Sequence, residues 1–359
     1  MSWQGIEGHD DNVQRFRRAI ASNRLASTFL FVGPPGIGKR AFALKLAQSL
    51  LCQRIDPVEL NPCGHCDACI QVTAGTHPDL ILVSKPAEKS AIPVAALVGD
   101  DNRRMREGLC HDISLKAFMG GRKVAIIDDA DYLNEEGANC LLKTLEEPPP
   151  YSVLILIGTT PDKQLPTIRS RCQTIRFQPL ETDVVAELLE SRGLVGDPAE
   201  ARRLAAISGG SLERALELAA EELWTFRRQL LAALVKRPLP SVELAQATVA
   251  FVDAAGKEAP ARRARARQLI AFTAEFYGQL LRALAGGAAR GDADLVAAVN
   301  AAQRIGGFSE EGVMAAVDRS LEALAHVDRN AHQATLIECW LDDLARILET
   351  NQPVAEYAG

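Results

Sequence analysis

The sequence predicts an α/β domain built on a parallel sheet, followed by a long helical C-terminal part. One observation is a strand, a glycine-rich turn and a helix in direct succession over residues 29–47. Another is a pair of fully apolar runs, 123–127 and 153–157, which are typical of parallel strands covered by helices on both faces. After residue 223 the composition turns to alanine, leucine and arginine, and Pro, Gly or Asp breaks separate amphipathic stretches.

Length, charge and cysteine content narrow the class of protein. A chain of 359 residues predicts two or three domains. A net charge of −6 argues against coating nucleic acid by charge alone, although a local basic face is compatible with it. The N-terminus lacks a secretory pattern, and no apolar run reaches the roughly 18 residues of a membrane span. We therefore expect a cytoplasmic protein in which the eight cysteines are metal ligands or buried thiols.

The glycine-rich turn matches the phosphate-binding loop G-x-x-x-x-G-K-[ST] at every position but the last. Its backbone N–H groups and the following helix N-terminus would cradle phosphate, and Lys39 would reach the β- and γ-phosphates. Arg40 stands where a hydroxyl normally binds Mg²⁺, so the loop is predicted to hold the metal poorly. The alternative is a glycine turn that only packs a helix on a sheet. The candidate nucleotide-binding residues of the loop are Gly33, Pro34, Pro35, Gly36, Ile37, Gly38, Lys39 and Arg40.

Polar residues follow two of the apolar strands. The carboxyl ends of parallel strands lie at the edge where a phosphate site opens. Asp128 is therefore a candidate ligand of Mg²⁺, usually through water, and Asp129 a candidate for polarising the attacking water. Thr159 follows the run 153–157 and could face a γ-phosphate or that water. The alternative is that the two acids are solvated in a loop.

Four cysteines, Cys52, Cys63, Cys66 and Cys69, lie within eighteen residues in the spacing C-x10-C-x2-C-x2-C. The spacing matches a tetrahedral zinc site, which would be structural because four thiolates leave no position for water. A [4Fe–4S] cluster is the competing metal group, because cysteines at this spacing also bind iron and sulfur. Unpaired structural cysteines are the alternative without a metal.

The remaining sequence predicts mostly helices. One is expected near 93–110, and a frayed tail is expected over 352–359. The basic runs 103–106 and 262–267 are interpreted as solvated helix faces or subunit contacts, although they could touch nucleic acid. In the C-terminal part we expect helices at 222–236, 240–255, 260–285, 292–304, 309–327 and 331–349.

The sequence LLKTLEEPP at 141–149, followed by a strand and Ser170-Arg171-Cys172, resembles the bacterial clamp-loader branch of the AAA+ ATPases. The cysteine module after the loop helix is similar to the zinc module of that branch, and the resemblance covers residues 1 to about 220 well. It implies a five-stranded parallel AAA+ sheet with helices on both faces at 1–179, with the cysteine module at 52–69. It further implies a small helical lid at 180–222 and a helical collar at 223–359 that oligomerises.

The resemblance also implies a function. Five such subunits, of the gamma/tau, delta and related kinds, form an open ring that loads a sliding clamp on primed DNA. Arg171 would be an arginine finger that acts in trans on the γ-phosphate held by a neighbouring motor subunit. Taken alone, Arg171 is a surface arginine with no assigned role.

Three departures from an active motor of this branch bear on hydrolysis. Arg40 replaces a Thr or Ser, and Asp129 replaces a longer Glu. Glu213 stands at the lid position of an arginine that senses the γ-phosphate, with Arg214 about 100° away around the helix. The sequence therefore predicts little or no ATPase activity and at most weak binding of ATP and Mg²⁺. The alternatives are an active gamma/tau-type ATPase and a free-standing nucleotide-binding switch protein.

Overall fold

The structure is a computed structural model that describes residues 3–86, 88–104, 106–119, 121–256, 259–328 and 331–350. The chain divides into two compact units, Met1–Glu217 and Leu218–Gly359. The division into three parts, with boundaries at 179 and 222, stays a prediction, and the predicted tail at 352–359 lies outside the described residues. Among the described helices, none combines the length and the apolar character that crossing a bilayer requires.

A parallel sheet forms the centre of the first unit. Its strands are β1 (Thr28–Val32), β2 (Leu80–Val83), β3 (Lys123–Ile127), β4 (Ser152–Gly158) and β5 (Gln173–Arg176). They lie in the order β2-β3-β4-β1-β5, and each neighbouring pair is parallel. The predicted α/β fold with a five-stranded parallel sheet is thereby confirmed for the described residues. β5 forms one edge of the sheet and is only four residues long.

Alternate side chains of the buried strands fill two cores, one on each face of the sheet. Phe29 and Phe31 of β1 pack with aromatic rings on one face, whereas Leu30 and Val32 belong to the core of the other face. This arrangement explains why β1 is apolar at nearly every position. The helices of the first unit are α1 (Asp10–Ala21), α2 (Lys39–Leu51), α3 (Asp67–Ala74), α4 (Val94–Val98), α5 (Leu109–Ser114), α6 (Glu135–Glu146), α7 (Pro166–Arg169), α8 (Thr182–Ser191), α9 (Pro198–Ile207) and α10 (Leu212–Glu217).

The predicted helix near 93–110 is wrong as a single element. The chain forms α4, a short 3-10 turn at Asp101–Arg103 and then α5. Gly99 and Gly108 separate these pieces, with φ angles of 82° and 88° that a continuous right-handed helix does not accommodate. Within the basic run at 103–106, Arg103 and Arg104 form ion pairs with glutamates of the same chain, and position 105 lies outside the described residues.

The second unit is helical, as predicted. Every described helix there begins and ends within two residues of its predicted bounds, because Pro, Gly and Asp residues mark the breaks. The helices are α11 (Glu221–Leu234), α12 (Ser241–Asp253), α13 (Ala259–Leu284), α14 (Ala293–Ile305), α15 (Glu310–Asp328) and α16 (Gln333–Thr350).

A buried ion pair connects two helices of this second unit. The guanidinium of Arg227, on α11, donates to both carboxylate oxygens of Asp292, at 2.7 and 3.1 Å. Asp292 also caps α14 by accepting from the backbone N–H groups of Asp294 and Leu295. Burial by itself would raise the pKa of Asp292, but the bonds from Arg227 hold that pKa below its ordinary value. Removing either partner would leave a buried charge without compensation.

Candidate nucleotide and metal sites

The loop at 33–40 joins β1 to α2 and contains glycines in a backbone conformation that other residues rarely adopt. Gly36 and Gly38 have φ angles of 71° and 94°, in the left-handed region that favours glycine. The Nε2 atom of buried His9 contacts the carbonyl oxygen of Ile37 at 2.7 Å. Burial lowers the pKa of His9, so the ring is neutral near pH 7 and its Nε2–H donates to that carbonyl. His9 therefore supports the loop.

The ammonium group of Lys39 is engaged by its own loop. Its Nζ donates to the carbonyl oxygens of Gly33 at 2.6 Å and Pro34 at 2.5 Å. Burial lowers the pKa of Lys39, and the nearby carboxylates of Asp131, Asp128 and Glu213 act in the opposite direction. In the described conformation, the Lys39 side chain is bound to its own loop. These two hydrogen bonds must break before Lys39 can bind a phosphate.

Arg40 lies against the first acid of the strand-end pair. Its guanidinium contacts Asp128 Oδ2 at 3.0 Å, while Asp129 begins a 3-10 turn with a φ of 56°. Burial, and then the neighbouring Asp128, raise the pKa of Asp129. Mg²⁺ needs oxygen ligands in near-octahedral arrangement, and here the best-placed carboxylate already bonds a cation. The residues at this position therefore fit Mg²⁺ poorly.

A third acid, Asp131, was not among the predicted site residues. Its largely buried carboxylate accepts from the Thr159 backbone N–H at 2.9 Å and from the Thr159 hydroxyl at 2.6 Å. It also accepts from Gln164 Nε2 at 2.9 Å. The Thr159 hydroxyl is thus directed to Asp131, and the Thr159 carbonyl accepts from Gly33 N–H at 2.9 Å. The sequence signal for Asp131 was its place as the third acid after β3.

The start of α10 covers the loop. The backbone N–H of Leu212 donates to the carbonyl of Gly36 at 3.1 Å. A β-carbon added at Gly36 would lie 2.6 Å from Glu213 Cβ and 3.1 Å from a carboxylate oxygen of Glu213. Burial raises the pKa of Glu213, and Glu217 raises it further. The Glu213 carboxylate therefore lies beside the loop on the side of α10, which makes the loop less suited to a polyphosphate.

Arg171 follows α7 in the chain and is not part of the loop at 33–40. Its Nε donates to Glu146 Oε1 at 2.7 Å, and its second terminal nitrogen contacts the same oxygen. The other terminal nitrogen donates to the carbonyl of Thr167 at 2.8 Å and to Ser170 Oγ at 3.2 Å. The Thr28 hydroxyl of β1 donates to the Arg171 carbonyl at 2.7 Å. The guanidinium is thus held in a defined position while about 30% of the side chain remains exposed.

The four predicted metal ligands, Cys52, Cys63, Cys66 and Cys69, come together. Their Sγ atoms lie within 4.8 Å of one another, and none of the four is in a disulfide. The Cys66 N–H points to Cys63 Sγ at 3.3 Å, and the Cys69 N–H to Cys66 Sγ at 3.5 Å. Burial opposes ionisation of Cys52, but hydrogen bonds from nearby backbone amides lower its pKa to about 6. Four clustered sulfurs with thiolate-stabilising donors fit one metal ion.

The cysteine cluster is attached to the helix that follows the phosphate loop. Gln48, buried on α2, donates to the carbonyl of Cys69 at 3.1 Å and to the hydroxyl of Thr73 at 3.1 Å. Cys66 caps the N-terminus of α3. The Gln48 side chain thus attaches the cysteine module to α2, in addition to the covalent connection through the polypeptide chain.

Several known proteins resemble a large part of this chain. The profile of the family described as "DNA polymerase III, delta subunit" matches residues 8–181. A DNA polymerase III subunit delta' of Pseudomonas aeruginosa is 40% identical over 213 residues, which cover 59% of this chain and 61% of that protein. A DNA polymerase III subunit delta' of Bacillus subtilis is 33% identical over 61% of each chain.

Similarity extends to a second kind of subunit. A DNA polymerase III subunit tau/gamma of Haemophilus influenzae is 29% identical over 65% of this chain and 33% of its own length. The matched region spans about three fifths of the length of the delta' relatives. Residues 8–181 are thus similar to the family described as DNA polymerase III, delta subunit.

Proposed function

We propose that this chain is the delta-prime subunit of a bacterial clamp loader, in the cytoplasm and as part of a DNA polymerase III holoenzyme. In this role it completes a hetero-pentameric ring with gamma/tau and delta subunits, which places the sliding clamp on primed DNA. It acts as a stator with little or no ATPase activity of its own. The similarity to relatives named delta' over about three fifths of the chain supports this assignment.

The observation that carries the proposal is the ion pair between Arg40 and Asp128 at 3.0 Å. To bind Mg²⁺, an active motor of this kind needs a hydroxyl at the position of Arg40 and a free carboxylate at the position of Asp128. In this chain a guanidinium replaces the hydroxyl and pairs with that carboxylate. Glu213 beside Gly36 adds a negative charge where a phosphate would approach. Both features favour a subunit that assists hydrolysis elsewhere over an active gamma/tau-type ATPase.

Arg171 provides the proposed assistance. A guanidinium is charged at every working pH and presents a planar fork to the phosphoryl oxygens on which charge develops. The bonds to Glu146 and Thr167 hold the fork of Arg171 before the neighbour arrives. Glu146 is a positioning residue in this account, because it contacts the arginine and not the phosphate. A pre-oriented charge costs little reorganisation at the moment of reaction.

The metal in the cysteine module is proposed to be zinc. Zn²⁺ prefers tetrahedral thiolate ligands, and four sulfurs close its coordination shell. Its role would be structural, holding the start of α3 and the turn at 63–66 together. An iron–sulfur cluster is the alternative that metal analysis distinguishes.

Reconstitution tests the function. We expect the purified full chain, mixed with gamma/tau and delta subunits of its source, to enter one complex in size-exclusion chromatography. That complex should load clamps on primed DNA, and omission of this chain should abolish loading. A chain that remains monomeric in the mixture would support the free-standing switch protein, and ATP hydrolysis by the isolated chain would support the gamma/tau alternative.

Replacing Arg40 by threonine should increase nucleotide affinity in the presence of Mg²⁺. The substitution supplies the missing hydroxyl and releases the Asp128 carboxylate, and a charge-assisted contact is worth about tenfold in affinity. Isothermal titration with ATP, with and without Mg²⁺, measures the effect. Arg40→Ala is the matched control, because it breaks the ion pair without adding an oxygen. It should increase the ATP affinity in Mg²⁺ less than Arg40→Thr does. Equal ATP affinity of Arg40→Thr and the unmodified chain in Mg²⁺ would contradict the assignment of the metal position.

A further inference from the structure

A groove runs along the open side of β5, apart from the loop at 33–40 and next to Arg171. It lies between α1, α7 and this edge strand, and its volume is about 700 Å³. Its lining includes three guanidinium side chains, two hydroxyl side chains and two prolines. The charged and hydroxyl residues are Arg15, Arg169, Arg176, Ser170 and Thr174, and we call this surface the arginine groove.

Charge in the arginine groove opposes the charge of the whole chain. The lining contains three arginines and no carboxylate, whereas the chain as a whole carries −6. Arg169 pairs with Asp162 at 3.0 Å, but both side chains are exposed, so solvent screens this pair. Within the part of the chain that the structure describes, Arg15 and Arg176 form no ion pair with a carboxylate. Two full positive charges therefore remain available to a ligand.

The elements that carry the arginines are fixed to one another. The Asn12 side chain of α1 donates to the backbone carbonyl of Arg176 on β5, at 3.1 Å. Val13 and Phe16 anchor α1 in the core, which leaves Arg15 exposed beside them. The bond from Thr28 to the carbonyl of Arg171 holds the segment after α7 against the sheet. The arginines are thus carried by segments that hydrogen bonds and buried side chains hold in place.

The lining chemistry identifies the class of ligand. Arginine forks match phosphate oxygens in a bidentate manner, and serine and threonine hydroxyls also donate to phosphate. The lining contains no aromatic ring on which a base could stack. Because the arginines come from three separate elements, a ligand with several phosphates fits better than one with a single phosphate.

We propose that the arginine groove binds the phosphates of a polyanionic ligand without reading bases. Two sources share this chemistry, the backbone of nucleic acid and a free polyphosphate such as that of a nucleoside triphosphate. The groove is a site separate from the loop at 33–40, and Ser170 lies between it and the guanidinium of Arg171. The proposal concerns the isolated chain and holds whether or not the chain functions in a clamp loader.

The test compares two double variants of the full chain. Arg15→Ala/Arg176→Ala removes two groove charges, whereas Arg18→Ala/Arg24→Ala removes two charges from outside the groove lining. Both variants change the net charge equally, and circular dichroism melting should show that both remain folded. Binding of a fluorescein-labelled primer–template DNA is followed by anisotropy across a salt series, and binding of tripolyphosphate by isothermal titration.

The expected result is an affinity about tenfold or more weaker for the groove variant and little change for the control. If the source is nucleic acid, the slope of log affinity against log salt should fall by roughly 0.9 for each phosphate that the variant no longer neutralises. If the source is a free polyphosphate, only the tripolyphosphate titration should weaken. Equal behaviour of the two variants towards both probes, or no binding of either probe to the unmodified chain, would overturn the proposal.

Discussion

Replacing Arg171 by alanine is expected to lower the DNA- and clamp-stimulated ATPase rate of the reconstituted loader by about 10³-fold or more per affected site. An arginine supplied in trans stabilises charge on the transferring phosphoryl group, and its removal leaves that charge uncompensated. The rate of the whole complex will fall less where other ATPase sites lack this neighbour. Single-turnover measurement on the assembled complex separates this site from the rest.

Three further variants make the Arg171 experiment specific. Arg171→Lys keeps the charge but not the planar fork, so it should recover only part of the rate. Glu146→Gln keeps the shape of the partner and weakens the positioning bond, so we expect a smaller loss of rate than for Arg171→Ala. Arg24→Ala, an exposed arginine elsewhere in the unit, should leave the rate unchanged. An unchanged rate for Arg171→Ala in an intact ring would show that the chain is only an architectural member.

Removing the metal from the cysteine module is expected to cost the first unit several kcal/mol of stability. The purified chain should contain about one zinc ion, and Cys66→Ser should abolish that content because Cys66 is one of the four proposed ligands and is buried. Thiolate–zinc bonds contribute folding free energy directly, so a loss of about 3 kcal/mol would lower the melting temperature by roughly 10 °C. Metal analysis and calorimetry measure the two effects.

The control for the metal experiment lies in the other unit. Cys339 is an exposed free cysteine on α16, so Cys339→Ser should change neither zinc content nor melting temperature. Iron with visible absorbance would replace the zinc assignment by a cluster. A chain purified without metal, with the same melting temperature in Cys66→Ser, would mean that the four cysteines are structural thiols.

Features that depend on local sequence could be predicted, because short-range signals determine them. The helices of the second unit agree with their predicted bounds since turn residues mark their ends, and the apolar runs became buried parallel strands. The four cysteines meet because their spacing is short. The helix near 93–110 was wrong because the two glycines in it adopt left-handed conformations that the apolar pattern does not reveal.

Contacts between distant segments could not be predicted in the same way. The departure at Arg40 was visible, but its ion pair with Asp128 joins residues 88 positions apart. The resemblance placed Glu213 near the nucleotide, and only the folded chain brings it against Gly36. Asp131 and Glu146 were missed because their roles come from partners, Thr159 and Arg171, on other elements.

The short edge strand has a consequence for how this protein meets other chains. An exposed strand is a template for adding a further strand, and natural proteins prevent this with short edges and charged side chains. β5 has four residues and directs Gln173 and Arg176 to solvent. This short, charged edge therefore disfavours continuation of the sheet by a strand of another chain. Protection of this edge also lowers the tendency of the folded chain to aggregate through its sheet.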